Sequence, residues 1–368
     1  MYPSLAVAAA LILTPNNPRV AYVGSPDGME GDLVRRESTL PFYPIDAAAV
    51  RGRGPRALVT NLLRLLRGVG QAIRLLRRER PAAIFGTGGY VCVPVFIAAW
   101  LLRVPRAIYL PDVVPGLAVR FLARISTAVL ATIPDAAPYF GMSVIRAPEY
   151  KKGRRHLVVA GYPVRPAISA TSRVQARVLF GVTDDTPIVL VSGGSRGARS
   201  LNYAIRDALP MLLPHMHIIH VCGREGDEGP LQTAAAALDP VLGSRYQLHS
   251  YLAADGPLPM TAAFVAADLT VCRSGASVLG ELPSAGLPAV LVPYPYVHQD
   301  ENADYLVRHG AAHKIADGRV ADELAPHLLS LVSDPAQIVA MRHQMLALAQ
   351  PQAAQIIAGL LQTIARGT

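Results

Sequence analysis

Residues 268–303, DLTVCRSGASVLGELPSAGLPAVLVPYPYVHQDENA, restrict the fold more than any other stretch. The short, mostly apolar segment 269–272, LTVC, meets turn-forming residues and reads as a buried strand. The chain turns through Ser274-Gly275 and enters a helix that carries Glu281. A second strand follows at 289–292, then a polar loop with Gln299 and Asn302. This layout sets a helix N-terminus beside the carboxyl edge of a sheet, where phosphates bind. It also places a single carboxylate about one turn into the helix, suited to gripping two neighbouring ribose hydroxyls. The stretch reads as the nucleotide half of a sugar-nucleotide site.

Strands and helices alternate along the rest of the chain. RVAYVG at 19–24 reads as a strand, and 83–85 ends another that runs into the turn GTGGY. A helix is expected at 93–102 and a third strand at 107–110. VVAGYPVRP at 158–166 is rich in turn formers and reads as the linker between domains. A fresh cycle begins with PIVLVSGG at 187–194, and from about Asp334 the tail reads as helical. Alternation of this kind predicts an α/β protein with two doubly wound parallel sheets. The expected limits are a first domain at 1–160, a second at 161–345, and a helix at 346–368 returning toward the first.

The chain of 368 residues is about half apolar and only 17% charged, enough for two buried cores and too apolar for disorder. The net charge of +9 favours an anionic partner. Few aromatics are available to stack on bases, which argues against nucleic acid. Cys92, Cys222 and Cys272 are scattered and odd in number, and suggest neither disulfide nor metal. The longest apolar run, 91–102, is too short to span a bilayer and contains Pro94. The N-terminus has no basic stretch before its apolar run, which argues against a secretory signal. A cytoplasmic protein touching the inner face of the membrane is expected.

PIVLVSGGSRGARSLN at 187–202 carries a strand through a turn with three glycines into a helix near Ala198. Glycine lets backbone N–H groups approach a diphosphate, the helix start adds partial positive charge, and Ser195 can add a hydroxyl donor. No Lys-Ser/Thr pair follows, so this is not a P-loop, and the spacing is not that of a dinucleotide fingerprint. Gly86, Thr87, Gly88 and Gly89 form the matching turn in the first domain. Two readings of it stay open: a grip on the acceptor's phosphates, or a structural turn. His215, His217 and His220 in HMHIIH resemble a metal set, but the alternation better suits a strand with exposed histidines. His298 reads equally as a sugar contact or a solvated loop residue.

These motifs together resemble the MurG family of glycosyltransferases. The resemblance spans nearly the whole chain and rests on YPSLAVAAAL, YVGSPDGMEGDLV, GTGGYVCVPV, PGLAVRFLA, GYPVR, GGSRGARSLN and CRSGASVLGE, in family order. It implies two Rossmann-like domains of the GT-B type facing a cleft. It further implies inverting transfer of N-acetylglucosamine from UDP-N-acetylglucosamine to the 4-hydroxyl of undecaprenyl-pyrophosphoryl-N-acetylmuramyl-pentapeptide. By resemblance, Ser195 contacts phosphate and Arg165 lies near the nucleotide, while the backbone of Leu252 reads uracil. Ala276, Ser277, Val278, Leu279 and Gly280 meet the diphosphate, Glu281 holds the ribose, and Gln299 holds the donor sugar. Asp112 stands where relatives carry an asparagine near the transferred sugar. No Asp-x-Asp motif stands at a strand end, so neither metal nor cofactor is expected.

The sequence departs from the family in two places. Relatives begin with GGTGGH just ahead of the segment matching Tyr2-Pro3-Ser4; here Met1 stands where that loop should end, and all ten histidines lie at His156 or later. A start placed downstream and a real loss of the loop both account for this, and such a start would also remove a strand normally central in the first sheet. The second departure is Tyr109-Leu110-Pro111-Asp112, where relatives carry His-Glu-Gln-Asn. With the family's histidine absent, Asp112 is the remaining candidate for general base.

Between Arg51 and Arg80 stand nine arginines and one acid, Glu79. Leu62, Leu66, Val69, Ile73 and Leu76 recur at helical spacing, with Arg64, Arg67, Arg74, Arg77 and Arg78 on other faces. Such a helix suits an anionic membrane surface, or packs its stripe on the domain's own sheet, or does both. Two other functions stay open: a diacylglycerol glycosyltransferase of the same fold, and a non-catalytic sugar-nucleotide-binding protein.

Overall fold

The computed structural model describes residues 2–26, 28, 30–47, 55–151, 153–164, 168, 171–253 and 256–366, with side chains from residue 60 onward in the helix that begins at Pro55. The chain divides into two compact units. Met1–Val164 with Gln350–Thr368 form the first, and Arg165–Ala349 the second.

The first unit is built on parallel strands. β1 (Tyr22–Gly24) pairs with β2 (Phe42–Pro44). β3 (Ile84–Gly86), β4 (Arg106–Leu110), β5 (Ala128–Ala131), β6 (Ser143–Arg146) and β7 (His156–Val159) form a five-stranded sheet ordered β3-β4-β5-β7-β6. Apolar residues fill both faces of the central strands, as a sheet covered by helices requires. Tyr109 and Val158 pack on one face with Val7, Ile357 and Leu361, so the helix Ala353–Ala365 belongs to this unit. Ile108 and Leu110 pack on the other face with Phe96 and Leu122. Val23 of β1 and Ile84 of β3 share a third cluster with Ala72 and Leu76.

Several sequence expectations change here. The first strand is shorter than 19–24 and begins at Tyr22, whose N–H bonds the carbonyl of Pro41. Residues 158–159 are not linker: apolar Val158 and Val159 pair with Leu130 and Ala131 of β5. The leucine stripe of the helix Pro55–Glu79 divides along its length. Ala72 and Leu76 are buried, whereas Leu62, Leu63 and Leu66 are 50%, 62% and 59% exposed. The contacts of this helix run to Cys92–Leu101 and to the loop after β2, where Gln71 bonds Asp46. No described helix is long and apolar enough to cross a membrane.

The second unit contains β8 (Ile188–Ser192), β9 (His217–Val221), β10 (Tyr246–His249), β11 (Leu269–Cys272), β12 (Ala289–Leu291) and β13 (Ala312–Lys314). All pair in parallel, in the order β10-β9-β8-β11-β12-β13. Successive strands are laid outward on one side of β8 and then, from β11, on the other. Between β8 and β11 the crossovers therefore diverge and leave a crevice at the carboxyl edge, the general ligand position in open α/β sheets. At the amino edge Asp268 pins the same two strands. Its carboxylate accepts the N–H of Ile188 at 3.0 Å and pairs with Arg173 and Arg177.

The histidines of HMHIIH are only partly as expected. His215 is exposed and His217 half-buried, but His220 is wholly buried. β9 lies inside a parallel sheet whose crossover helices cover both faces, so alternation does not expose its side chains beyond the first residue, His217. Among the described residues no group of histidines, cysteines and acids could hold a metal ion.

Candidate active site

The carboxyl end of β8 opens into the glycine turn, and the helix Arg199–Leu212 follows with Ala198 as its N-cap. Gly197 adopts φ 92°, and a side chain there would collide with the carbonyl oxygen of Cys222. The turn therefore interlocks with Gly223, which follows β9. Only backbone is present at this contact, and Ser195 is left exposed at the tip of the turn. Arg196 next to it pairs with Glu225. No side chain caps the fourteen-residue helix, so its first N–H groups and the full macrodipole face the crevice.

The neighbouring strand, β11, ends in Arg273-Ser274-Gly275. A continuous helix is expected from Ala276, and the structure breaks it. Ala276–Leu279 is a 3₁₀ turn, and Glu281–Ala285 is a separate short helix sharing Gly280 as its cap. Gly280 takes φ −133°, outside helical geometry, and Pro283 in the next turn has no N–H to extend the ladder backward. Elements this short sum few peptide dipoles. What residues 276–279 offer an anion is therefore local amides, and the macrodipole comes from the helix after β8. Glu281 consequently stands at the start of a helix rather than a turn into one. It is half-buried beside the end of β11: burial pushes the Cys272 thiol up to about 12, and the charge of Glu281 adds to the rise.

The loop after β12 is held against this turn. Ser274 donates its hydroxyl to the carbonyl of Gln299 at 2.9 Å, and Asn302 Nδ2 donates to the carbonyl of Ser274 at 2.9 Å. Asn302 is not in the loop as expected. It is buried within the helix Asp300–Arg308, which Gln299 caps. The Gln299 side chain is oriented by the N–H of Tyr294, which donates to Oε1 at 3.0 Å. His298 is exposed and faces Glu301 at 3.5 Å. Leu252 is buried just after β10, and Arg224 stacks over the adjacent Tyr251 at 4.0 Å.

One sheet edge thus gathers Ser195, Leu252, residues 276–281 and Gln299. Arg165 lies outside the described residues. Sequence reasoning did not single out Arg273, Ser200, Asp317 or Asn202, although the first lies inside the most informative motif. Asn202 is fully buried and bonds the carbonyl of Cys222 and Asp227 Oδ2, each at 2.9 Å, bracing the glycine turn from beneath.

In the first unit, β3 runs into the GTGGY turn. Gly86 is the last residue of the strand, and a Cβ there would come within 2.6 Å of the Phe96 ring. Gly88 takes φ 92°, and its carbonyl accepts the Cys92 thiol at 2.8 Å. Gly86, Thr87, Gly88 and Gly89 therefore sit together between a strand end and the helix Cys92–Leu101. Asp112 follows β4 by two residues and is half-buried. Tyr109 points into the core. Its hydroxyl lies 2.7 Å from Thr132 Oγ1 and donates to the carbonyl of Gly161 at 3.0 Å. Burial raises its pKa well above the usual phenol range, with the charge of Asp112 adding to the rise.

Comparison with known proteins gives consistent results. Residues 1–131 match the glycosyltransferase family 28 N-terminal domain, and residues 188–357 match the family 28 C-terminal domain. A protein of Roseiflexus sp. (strain RS-1) is 51% identical, over 99% of this chain and 92% of its own length. It is named a UDP-N-acetylglucosamine–N-acetylmuramyl-(pentapeptide) pyrophosphoryl-undecaprenol N-acetylglucosamine transferase. A protein of the same name from Desulforudis audaxviator (strain MP104C) is 37% identical over 100% of this chain and 96% of its own. The crystal structure of Acinetobacter baumannii MurG superposes with a TM-score of 0.73 and 28% identity, covering 98% of this chain and 95% of that one.

Proposed function

The chain belongs to the MurG family of glycosyltransferases, and from that premise we propose that it transfers N-acetylglucosamine from UDP-N-acetylglucosamine to the 4-hydroxyl of undecaprenyl-pyrophosphoryl-N-acetylmuramyl-pentapeptide in peptidoglycan synthesis. The observation that carries the reading is the juxtaposition at the β8/β11 crevice. The glycine turn and an uncapped long helix come from one strand, and the Ser274–Glu281 turn comes from its neighbour.

In this reading the diphosphate sits on the amides of residues 193–199 and 276–279, with Ser195 adding a hydroxyl. Leu252 offers its backbone to uracil, Glu281 accepts from the ribose hydroxyls, and Gln299 and Arg165 complete the donor site. The acceptor hydroxyl attacks the anomeric carbon in line, the bond to the diphosphate breaks, and the configuration inverts. Negative charge grows on the leaving UDP, where fixed amide dipoles stabilise it without reorganising. Asp112 takes the proton of the attacking hydroxyl, and Gly86, Thr87, Gly88 and Gly89 hold the acceptor's phosphates. Wild-type turnover in Asp112→Asn would remove that carboxylate from the role of base.

The acceptor is lipid-linked, and the first unit offers it a surface. Leu62, Leu63 and Leu66 are exposed on a helix whose Arg64, Arg67, Arg74, Arg77 and Arg78 are also exposed. Apolar side chains flanked by guanidinium groups suit an anionic interface. The protein is thus a peripheral enzyme of the cytoplasmic face. The test is transfer of radiolabelled sugar from UDP-N-acetylglucosamine to lipid-linked muramyl-pentapeptide. Product with inverted linkage is expected, and no transfer with folded protein and both substrates would overturn the assignment.

A further inference from the structure

Arg273 stands immediately after β11, and its guanidinium draws together chain segments from three other strand ends. Nη1 reaches the carbonyls of Val292 at 3.2 Å and Pro293 at 3.3 Å, where β12 gives way to its loop. The same nitrogen lies 2.6 Å from Oδ1 of Asp317, just past β13. Nη2 donates to Ser200 Oγ at 3.0 Å, in the first turn of the helix behind the glycine turn. The Ser200 hydroxyl in turn donates to the same Asp317 oxygen at 2.6 Å. The Arg273 side chain is only 13% exposed, so Asp317 neutralises a charge that water barely reaches. Such a pair holds its geometry far more firmly than a surface ion pair.

This cluster joins two places that a sugar nucleotide would touch with different ends. On one side it holds the helix that faces the diphosphate. On the other it fixes Val292 and Pro293, and the guanidinium lies 5.4 Å from the Tyr294 ring. The Tyr294 N–H in turn orients the Gln299 amide. The loop between is otherwise exposed, with Tyr296 82% accessible, so it is fixed at two points: through Arg273 where it leaves β12, and by the Ser274 hydroxyl at Gln299.

We infer that Ser200 and Asp317 are positioning residues for the donor sugar: by clamping Arg273 they set the separation between the phosphate-facing helix and the loop carrying Gln299. The inference rests on the donor-site reading proposed above. Neither residue need touch the ligand. Their effect is selective, because the nucleotide grips the turns after β8 and β11 directly, whereas the sugar depends on a loop whose first residues, and with them the Tyr294 N–H that orients the Gln299 amide, are placed through Arg273. Misplacement of a contact group by a fraction of an ångström is enough to lose its hydrogen bond.

Calorimetric titration of UDP and of UDP-N-acetylglucosamine tests this in wild type, Asp317→Ala and Asp317→Asn. Asp317→Ala should weaken the sugar conjugate about tenfold, the loss of one charge-assisted hydrogen bond, and leave UDP within about twofold. Asp317→Asn keeps an acceptor oxygen for both donors and should recover most of that loss. Ser200→Ala retains the ion pair and provides the same comparison should Asp317→Ala fail to fold; its smaller loss should again fall on the conjugate alone. Equal weakening of both ligands would make the cluster a structural brace and overturn the inference, as would unchanged binding of both. A wild-type chain that binds neither ligand would defeat the donor-site reading itself, a result visible before any variant is measured.

Discussion

His220 Nε2 lies 3.0 Å from Oδ1 of Asn202, and both side chains are wholly buried in the second unit. Asn202 Nδ2 donates to the carbonyl of Cys222 and to Asp227, which leaves Oδ1 as the acceptor facing the imidazole. His220 must then carry its proton on Nε2 and accept from the Tyr246 hydroxyl at Nδ1, 2.8 Å away. The neutral ring is satisfied at both nitrogens, and burial lowers its pKa to about 4, opposed in part by the charge of Asp227.

The folded pKa lies below the unfolded value of about 6.5, so this network contributes fully above pH 6.5. The contribution is lost as pH falls toward 4, amounting to about 3 kcal/mol at its limit. Urea unfolding followed by circular dichroism should show a midpoint that falls across that window. His220→Gln should flatten the pH dependence between pH 6.5 and 4. An identical slope in the variant would mean that another group titrates.

Gly197→Ala should cost about 2 kcal/mol or more, because φ is 92° and the new methyl meets the carbonyl of Cys222. Gly194→Ala is the control. Its φ is 87°, yet nothing stands where the methyl would go, so only backbone strain of about 1 kcal/mol remains. Thermal unfolding of both variants should rank Gly197→Ala as the less stable. Equal stability would argue against the interlocked turn.

Glu281→Ala should weaken UDP roughly thirtyfold, about 2 kcal/mol for two hydrogen bonds to a carboxylate. UDP lacking both ribose hydroxyls should bind wild type and variant alike. A variant that discriminates the two nucleotides as well as wild type does would remove Glu281 from the ribose.

Much of the α/β plan can be read from residues. Ile188–Val191 is a continuous apolar run and Leu269–Cys272 breaks one only at Thr270, a pattern suited to a sheet covered on both faces, and each strand leads into a glycine turn. The break at Gly280 was not legible, because the apolar spacing of 276–282 suits one helix and the decision falls to the turn's tertiary setting. Nor was burial of His220: a polar residue in a period-two pattern reads as outward-facing unless the strand is known to be internal. Arg273, Ser200 and Asp317 are far apart in sequence and meet only because β8, β11 and β13 lie in one sheet.

Replacing Leu63 and Leu66 by serine should lower binding to anionic vesicles about thirtyfold or more, since each exposed leucine adds roughly 1 kcal/mol or more on entering the interface. Raised salt should weaken wild-type binding as well, by screening the arginines. Cosedimentation that ignores both lipid charge and these substitutions would exclude this helix as the contact.

Hydrogen–deuterium exchange with and without UDP measures directly where the nucleotide sits. Slowed exchange is predicted at residues 193–199 and 274–282, with little change along the amino edge of the same sheet near Asp268. Protection confined to other segments, or none at saturating UDP, would contradict the assignment of the β8/β11 crevice as the nucleotide site.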